Sequence, residues 1–238
     1  MQDRNRDGTT HLPLGPPIDA AAAPRPERTT LAGRFVTLFP LEAANADELY
    51  GPSHGPEAEA LWAWMGDGPY PDPESFAANI AAKATGPDPF YAVIDNASGR
   101  CLGYLSLIRI DQPNRVIEIG NILYTPALQR TPGATEAVFL AARYVFDILG
   151  YRRLEWKCND LNAPSRRAAT RFGFSFEGVF RQHMIIKGRN RDTAWYSMLD
   201  RDWPALRAAF ENWLKPENFG PDGRQRLSLS ALNGRNPV

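Results

Sequence analysis

Apolar and polar positions first alternate regularly in GRFVTLFPL, where Phe35, Thr37 and Phe39 interleave with Val36 and Leu38. A period of two predicts a half-buried β-strand. AANADELYG follows as a short helix, with Asn45 or Asp47 near its start. DPESFAANIAAKAT is a second helix, because Asp72 before Pro73 supplies an N-cap and a first-turn proline. Between the two lies ALWAWMGDGPYPD, a Gly/Pro-rich loop loaded with aromatics. FYAVIDNASGRCLGYLSLIRID then reads as two β runs joined by a turn at Asn96-Ala97-Ser98-Gly99, a hairpin signal. RVIEIGNILYT is a third run after the turn at Gln112-Pro113-Asn114.

The second half alternates helix and strand. AVFLAARYVFDILG predicts a helix through Leu149 with Gly150 as its C-cap. It is followed by a strand, RRLEWKCN, and a helix, APSRRAATRFG. The hairpin FRQHMIIKGRNRDTAWYSML, turning near Lys187-Gly188-Arg189-Asn190, leads into a helix from Asp202 to Leu214 with Pro204 in its first turn. The crossover helix between VIEIGNILY and RLEWKCN implies that these two strands lie parallel. The expected fold is therefore α+β (α/β): a mixed, mostly antiparallel sheet of about six or seven strands, with helices on both faces. Residues 1–30, rich in Pro, Ala and charge, are expected to form a poorly ordered or surface-wrapping arm. Residues 31–214 form the folded domain and 215–238 a polar tail, without internal repeats.

Composition narrows the function. The 238 residues are 43% hydrophobic and 23% charged, and 27 Lys and Arg balance 27 Asp and Glu. A formal net charge of zero argues against a dedicated nucleic-acid binder, which shows a basic excess. Cys101 and Cys158 each sit in an apolar, strand-like segment with no metal-type spacing, as core thiols of a reduced protein do. No metal is expected. No apolar run reaches the roughly 18 residues of a membrane-spanning helix. The N-terminus lacks the apolar stretch of a signal peptide, so a cytoplasmic protein with no membrane partner is expected, as monomer or homodimer.

One turn carries candidate chemistry. QRTPGATEA, residues 129–137, joins a strand to a helix, and such a turn gathers backbone N–H groups that can hold an anion. Pro132 has no N–H to give, but with Thr131 as N-cap it occupies the first helical position, where its φ is already suitable. The N–H groups of Gly133, Ala134 and Thr135 remain, and the hydroxyls of Thr131 and Thr135 and the Arg130 guanidinium could add contacts to a diphosphate. Further on, Asn162-Ala163-Pro164-Ser165 precedes Gly173-Phe174 with a helix between them; a capped helix would explain these residues equally well.

Together with the element order, VIEIGNILYTPALQRTPGATEA and NDLNAPSRRAATRFGFSFEG resemble the GCN5-related N-acetyltransferases, specifically their RimJ/RimL-like branch, over roughly residues 33–200. The resemblance implies an acetyl-CoA-dependent N-acetyltransferase acting on a primary amine, either a small molecule or a protein N-terminus. It also implies that the two parallel strands splay apart and take the pantetheine of acetyl-CoA between them. The family's Q/R-x-x-G-x-G/A turn corresponds to Gln129 through Ala134, with Pro132 where the central glycine stands. Asn162 would bond the pantetheine arm, and backbone N–H groups around Leu123 and Tyr124 would face the thioester carbonyl. The tyrosine that many members use as acid is replaced by Ala169, so Ser165 is the implied partner of the departing thiolate.

Glu118 is the preferred general base, since burial in an apolar strand would raise a carboxylate's pKa towards neutrality. It also stands eleven residues before Gln129, like the glutamate base of one branch of the family. The alternatives are a solvated carboxylate or one paired with a nearby Arg, and Glu155 is held in reserve. Trp62, Trp64, Met65 and Tyr70 are candidates for a substrate wall, or equally for packing beneath the loop. Arg166 and Arg167 form a solvated face unless the helix start lies close enough for them to reach the adenosine phosphates. His183 reads as a partly exposed strand histidine, and His11 in the arm and His54 in a Gly/Pro loop show no evident partner. Two rival functions stay open: a non-catalytic acyl-CoA-binding or regulatory domain, which Pro132 and Ala169 would suit, and an interaction module using the tryptophan loop.

Overall fold

Strands such as FYAVID, apolar at successive positions, require two covered faces, and the computed structural model, which describes residues 14–19, 21–56 and 58–234, provides them. The strands are β1 (Leu31–Ala32), β2 (Val36–Pro40), β3 (Phe90–Asp95), β4 (Cys101–Asp111), β5 (Val116–Tyr124), β6 (Arg153–Asn159), β7 (Ser175–Ile186) and β8 (Arg189–Leu199). The helices are α1 (Asn45–Ser53), α2 (Ala58–Trp62), α3 (Pro73–Thr85), α4 (Pro132–Arg143), α5 (Ala163–Arg171), α6 (Trp203–Trp213) and α7 (Leu229–Leu232). All eight strands join one sheet in the order β1-β2-β3-β4-β5-β6-β8-β7. Only β5 and β6 pair in parallel, as the crossover through α4 requires. The mixed, mostly antiparallel sheet with helices on both faces is thus present, with eight strands rather than six or seven. The addition is β1, whose two residues are too few to show a period.

Alternate residues feed separate cores. Along β3, Tyr91 and Val93 enter the core formed with α4, α5 and α6, whereas Phe90 and Ala92 enter the one covered by α1 and α3. Local signals set the helix starts. Asp72 accepts the Ser75 N–H at 2.7 Å ahead of Pro73. Thr131 accepts the Ala134 N–H at 3.2 Å ahead of Pro132. At the other end, α4 loosens into a π-helical turn over Tyr144–Ile148, and Gly150 ends it at φ +68°, in the left-handed region that glycine adopts freely. Helix α2 runs into the start of the stretch expected to be loop; at five residues it is too short for a helical period to emerge.

The ends of the described chain pack against the domain. Tyr91 and Tyr151 donate hydroxyl hydrogen bonds to the carbonyls of Glu27 and Pro24, and Arg28 holds those of Gly86 and Asp88. His11 lies outside the described residues. Beyond Leu214, the expected tail folds back: Asn218 is buried among backbone bonds, and Leu229 is buried in the α4/α6 core.

One buried carboxylate fixes α4 to the sheet. Glu136 accepts the backbone N–H groups of Arg34 (2.8 Å), Phe35 (2.6 Å) and Val36 (2.9 Å) at the entry to β2. Gly33 makes room for it, since a Cβ there would come within 2.6 Å of the carboxyl carbon. Glu136→Ala would leave three inward N–H groups without acceptors, at a cost of about 3 kcal/mol. The melting temperature by calorimetry should fall by about 6–12 °C for a domain of this size. An unchanged melting temperature would show that α4 is held by packing alone.

Candidate active-site cleft

The cleft originates where two strands part. β5 and β6 pair at Val116/Arg153, Ile117/Leu154 and Glu118/Glu155, and no further. Beyond that point β5 stays on β4 as far as Tyr124, and β6 stays on β8 as far as Asn159. The cause lies in β5. Between Gly120 and Leu123 it carries one residue more than β4 does, and Asn121 takes φ +47°. Such a bulge bends its strand and deepens the local twist. A second bulge, on β4 with Arg109 at φ +48°, turns that guanidinium onto Glu118. Gly120-Asn121 within an apolar run was the readable sign of the first, since a lone glycine in a strand often marks a bulge. The opening leads into a cleft of about 2360 Å³.

At one end lies the start of α4, with a donor set different from that expected. The Ala134 N–H is taken by Thr131 Oγ1, which itself donates to the Leu128 carbonyl. The Thr135 hydroxyl accepts from Arg171 at 3.0 Å. Gln129 donates to the Tyr124 carbonyl. Thr131 and Ala134 are therefore committed internally, because capping satisfies the helix before any ligand arrives, while Thr135 keeps its own hydroxyl proton to donate. The exposed Arg130 remains for a ligand, whereas Gly133 is buried against Val36 and Leu128. Arg171, absent from the sequence-based candidates, compensates. Its guanidinium lies over the Trp213 ring at 5.0 Å, has no carboxylate in ion-pair range among the described residues, and is desolvated, which lowers its pKa. A desolvated, unpaired cation at a helix N-terminus is a fitting phosphate partner. Only the tertiary fold brings Arg171 to Thr135, so spacing gave no sign of it.

In the middle, Asn162 caps α5 by accepting the Ser165 N–H at 3.1 Å, which leaves its amide N–H₂ for the cleft it lines. The Ser165 hydroxyl accepts from Trp156 Nε1 at 3.0 Å. Behind it, burial pushes the Cys158 thiol up, partly offset by its bond to Ser165, so Cys158 stays protonated as a core residue. Ala169 is fully buried. The side chains of Leu123 and Tyr124 enter opposite cores, and the Tyr124 hydroxyl is buried without a partner among the described residues, so these residues offer the cleft mainly backbone. Arg166 is held by Asp160 at 2.6 Å and by the Tyr196 hydroxyl and does not line the cleft, whereas Arg167 stays exposed beside it.

The far end is charged rather than apolar. Glu118 is buried at the apex of the splay, but Arg109 (2.7 Å) and Lys157 (3.0 Å) both engage its Oε2. This corrects the apolar surroundings inferred from the strand pattern: side chains of three neighbouring strands converge there, and a one-strand reading cannot see them. Glu118 Oε1 has no partner among the described residues, and Gly120 leaves it space, since a Cβ there would stand 3.3 Å away. Lys157 also holds Glu155 at 2.6 Å and lies 3.8 Å from the Trp195 ring centroid, so the reserve base is itself ion-paired. The aromatic loop divides. Trp64, 38% exposed, and Met65 line the cleft. Trp62 is wholly buried with its Nε1 on the Ser53 carbonyl, and Tyr70 packs beside it and bonds Asp67. Trp62 is core, Tyr70 is half-buried against it, and neither lines the cleft. His54 stacks on Tyr50 and accepts the Tyr70 N–H, and His183 bonds Thr193.

Comparison with known proteins agrees with this geometry. The family model described as "Acetyltransferase (GNAT) domain" matches residues 36–175, more than half of the chain. A GCN5-related N-acetyltransferase from Brucella melitensis superposes with a TM-score of 0.88 at 49% identity, over 91% of this chain and 99% of that one. A probable acetyltransferase of the GNAT family from Chromobacterium violaceum ATCC 12472 gives 0.76 at 38% identity, over 82% and 99%. The Bacillus subtilis (strain 168) protein named "Putative ribosomal N-acetyltransferase YdaF" is 31% identical over 105 residues, covering 44% of this chain and 57% of that protein's length. The chain belongs to the GNAT acetyltransferase domain family.

The charge cluster at the apex makes a stability prediction. Lys157→Met would remove the cation that Glu118 and Glu155 share, leaving each with one arginine. The cost should fall below the roughly 3–5 kcal/mol of a fully uncompensated buried charge, at about 1–3 kcal/mol. Thermal unfolding should show a loss of that order, and adding Glu155→Gln should restore part of it. A double variant no more stable than the single would contradict this sharing.

Proposed function

We propose, from this family membership and the shape of the cleft, that the chain is an acetyl-CoA-dependent N-acetyltransferase acting by direct transfer in a ternary complex. The observation that carries the reading is the splay beyond Glu118/Glu155, which opens unpaired β5 backbone beside a buried carboxylate. Arg130 and Arg171, both lining the cleft, suit the diphosphate, and the backbone of Ile119–Tyr124 suits the pantetheine and the thioester carbonyl. Holding both reactants in one cleft supplies part of the rate by removing the entropy of encounter.

The chemistry needs three things from the protein. A neutral amine nitrogen attacks the thioester carbon, the carbon–sulfur bond breaks, and the electron pair leaves on the CoA sulfur. Glu118 takes the ammonium proton through its open Oε1, directly or through a water, while Arg109 and Lys157 orient the carboxylate through Oε2. The Ser165 hydroxyl, placed by Trp156 and by the α5 cap, stabilises the departing thiolate. Backbone N–H groups of β5 polarise the carbonyl as negative charge develops on its oxygen.

The acceptor is a primary amine, on a small molecule or a protein N-terminus. The name of the Bacillus subtilis relative, a ribosomal N-acetyltransferase, favours the protein alternative and the RimJ/RimL-like branch. A cytoplasmic setting fits the two unpaired thiols, and no helix among the described residues is long and apolar enough to cross a membrane.

Release of free thiol from acetyl-CoA across an amine panel tests the activity. Glu118→Gln should lower kcat on the order of 100- to 1,000-fold and flatten the rising limb of the pH–rate profile. Its affinity for acetyl-CoA should be unchanged. An unaltered pH profile would remove Glu118 from the base role. Acetyl-CoA binding without thiol release to any amine would favour the non-catalytic alternative.

A further inference from the structure

The acceptor end holds one cation that the reaction described above does not use. Arg191, on β8 opposite Met184, lines the same cleft as Glu118 and Arg109. The register places it there. β7 carries three residues between Phe180 and Met184 where β8 has one, and Gln182 turns at φ +51° to bond Asp192. That bulge is the third non-glycine positive-φ bulge beside the cleft, and strained backbone of this kind gathers at functional sites.

Arg191 donates from Nε to Thr193 Oγ1 at 3.2 Å, and its two terminal nitrogens have no partner among the described residues. The carboxylates that could neutralise it are engaged elsewhere. Asp160 holds Arg166, and Asp192 accepts from the Gln182 backbone and the Asn190 side chain. Glu118 is shared by Arg109 and Lys157, Glu155 by Lys157 and Arg153, and Glu177 is held by Arg153. Glu59 lines the cleft from the exposed surface of α2. Glu118, Glu155 and Glu177 are thus shared among Arg109, Lys157 and Arg153, and neither they nor the exposed Glu59 form an ion pair with Arg191 among the described residues. A partly buried guanidinium without a counter-charge is unfavourable alone and becomes favourable when an anion arrives with its ligand.

We propose that the acceptor carries a carboxylate as well as the amine, and that Arg191 holds it while the amine stands at Glu118. This rests on the acetyl-transfer reading and narrows its acceptor to amino-carboxylates. A single unpaired positive charge suits a monoanion; a phosphate would bring close to two negative charges. Met184, Ile186, Trp64 and Met65, lining the same cleft, suit an apolar spacer between the two groups. A free amino acid with a carboxylate beyond such a spacer presents this chemistry. So does a peptide whose N-terminal residue precedes Asp or Glu.

The test compares ω-amino carboxylates with n-alkylamines of equal chain length in the thiol-release assay, with aminoalkyl phosphonates as a third series. The peptide pair Ala-Asp-Ala and Ala-Asn-Ala separates the two sources of carboxylate. A charge-assisted bond predicts that kcat/KM favours the carboxylate member of a matched pair by about 10- to 100-fold, mostly through KM. That ratio should collapse towards one in Arg191→Gln and survive in part in Arg191→Lys. A wild-type ratio near one, or a larger preference for the phosphonates, would overturn the proposal while leaving acetyl transfer intact. Absence of thiol release with every amine would overturn both. Because the first comparison uses the unaltered protein, it stands even where a variant fails to fold.

Discussion

The molecule depends on a hydrogen-bond ladder that stops early. Two parallel strands that begin paired would gain by remaining so, since each unmade backbone bond in a dry interior is costly. The bulge at Asn121 bends β5 off that path, and each strand keeps its other neighbour, β4 or β8. The sheet therefore stays continuous on either side of the opening. The unpaired backbone faces a wet cleft rather than a core, which lowers the cost of leaving it open.

Charge closes what backbone opens. At the apex, where pairing ends, Glu118 and Glu155 share Lys157, with Arg109 and Arg153 at the flanks. These contacts span β4, β5 and β6, so the point of divergence is also where ionic contacts tie the strands together. At the opposite end, α4 is fixed by Glu136 on three N–H groups of the β2 entry, which sets where its N-terminus meets the cleft. Two differently built anchors, one of paired charges and one of backbone donors on a single carboxylate, thus define the ends of the site.

What could be read from the chain was local. Asp72-Pro73 and Thr131-Pro132 announce helix starts because cap and proline act within one turn, and both caps are present. The parallel pairing of β5 with β6 followed from the length of the crossover. Roles set by distant partners could not be read. Nothing in ALWAWMGDGPYPD tells that Trp62 is buried while Trp64 borders the cleft. The same holds for Arg171 and Arg191, whose importance lies in which carboxylates fail to reach them. Thr131 misled in the opposite way: its hydroxyl was available on paper, yet in the fold it donates to Leu128 and accepts from Ala134.

The splay as a ligand-binding opening is the central claim, and amide hydrogen exchange tests it most directly. The amides of Ile119–Leu123 should exchange more slowly with saturating acetyl-CoA than without, because the strand edge gains acceptors that β6 does not provide. Adenosine alone should leave them unchanged. Equal exchange at these amides with and without acetyl-CoA would contradict the account.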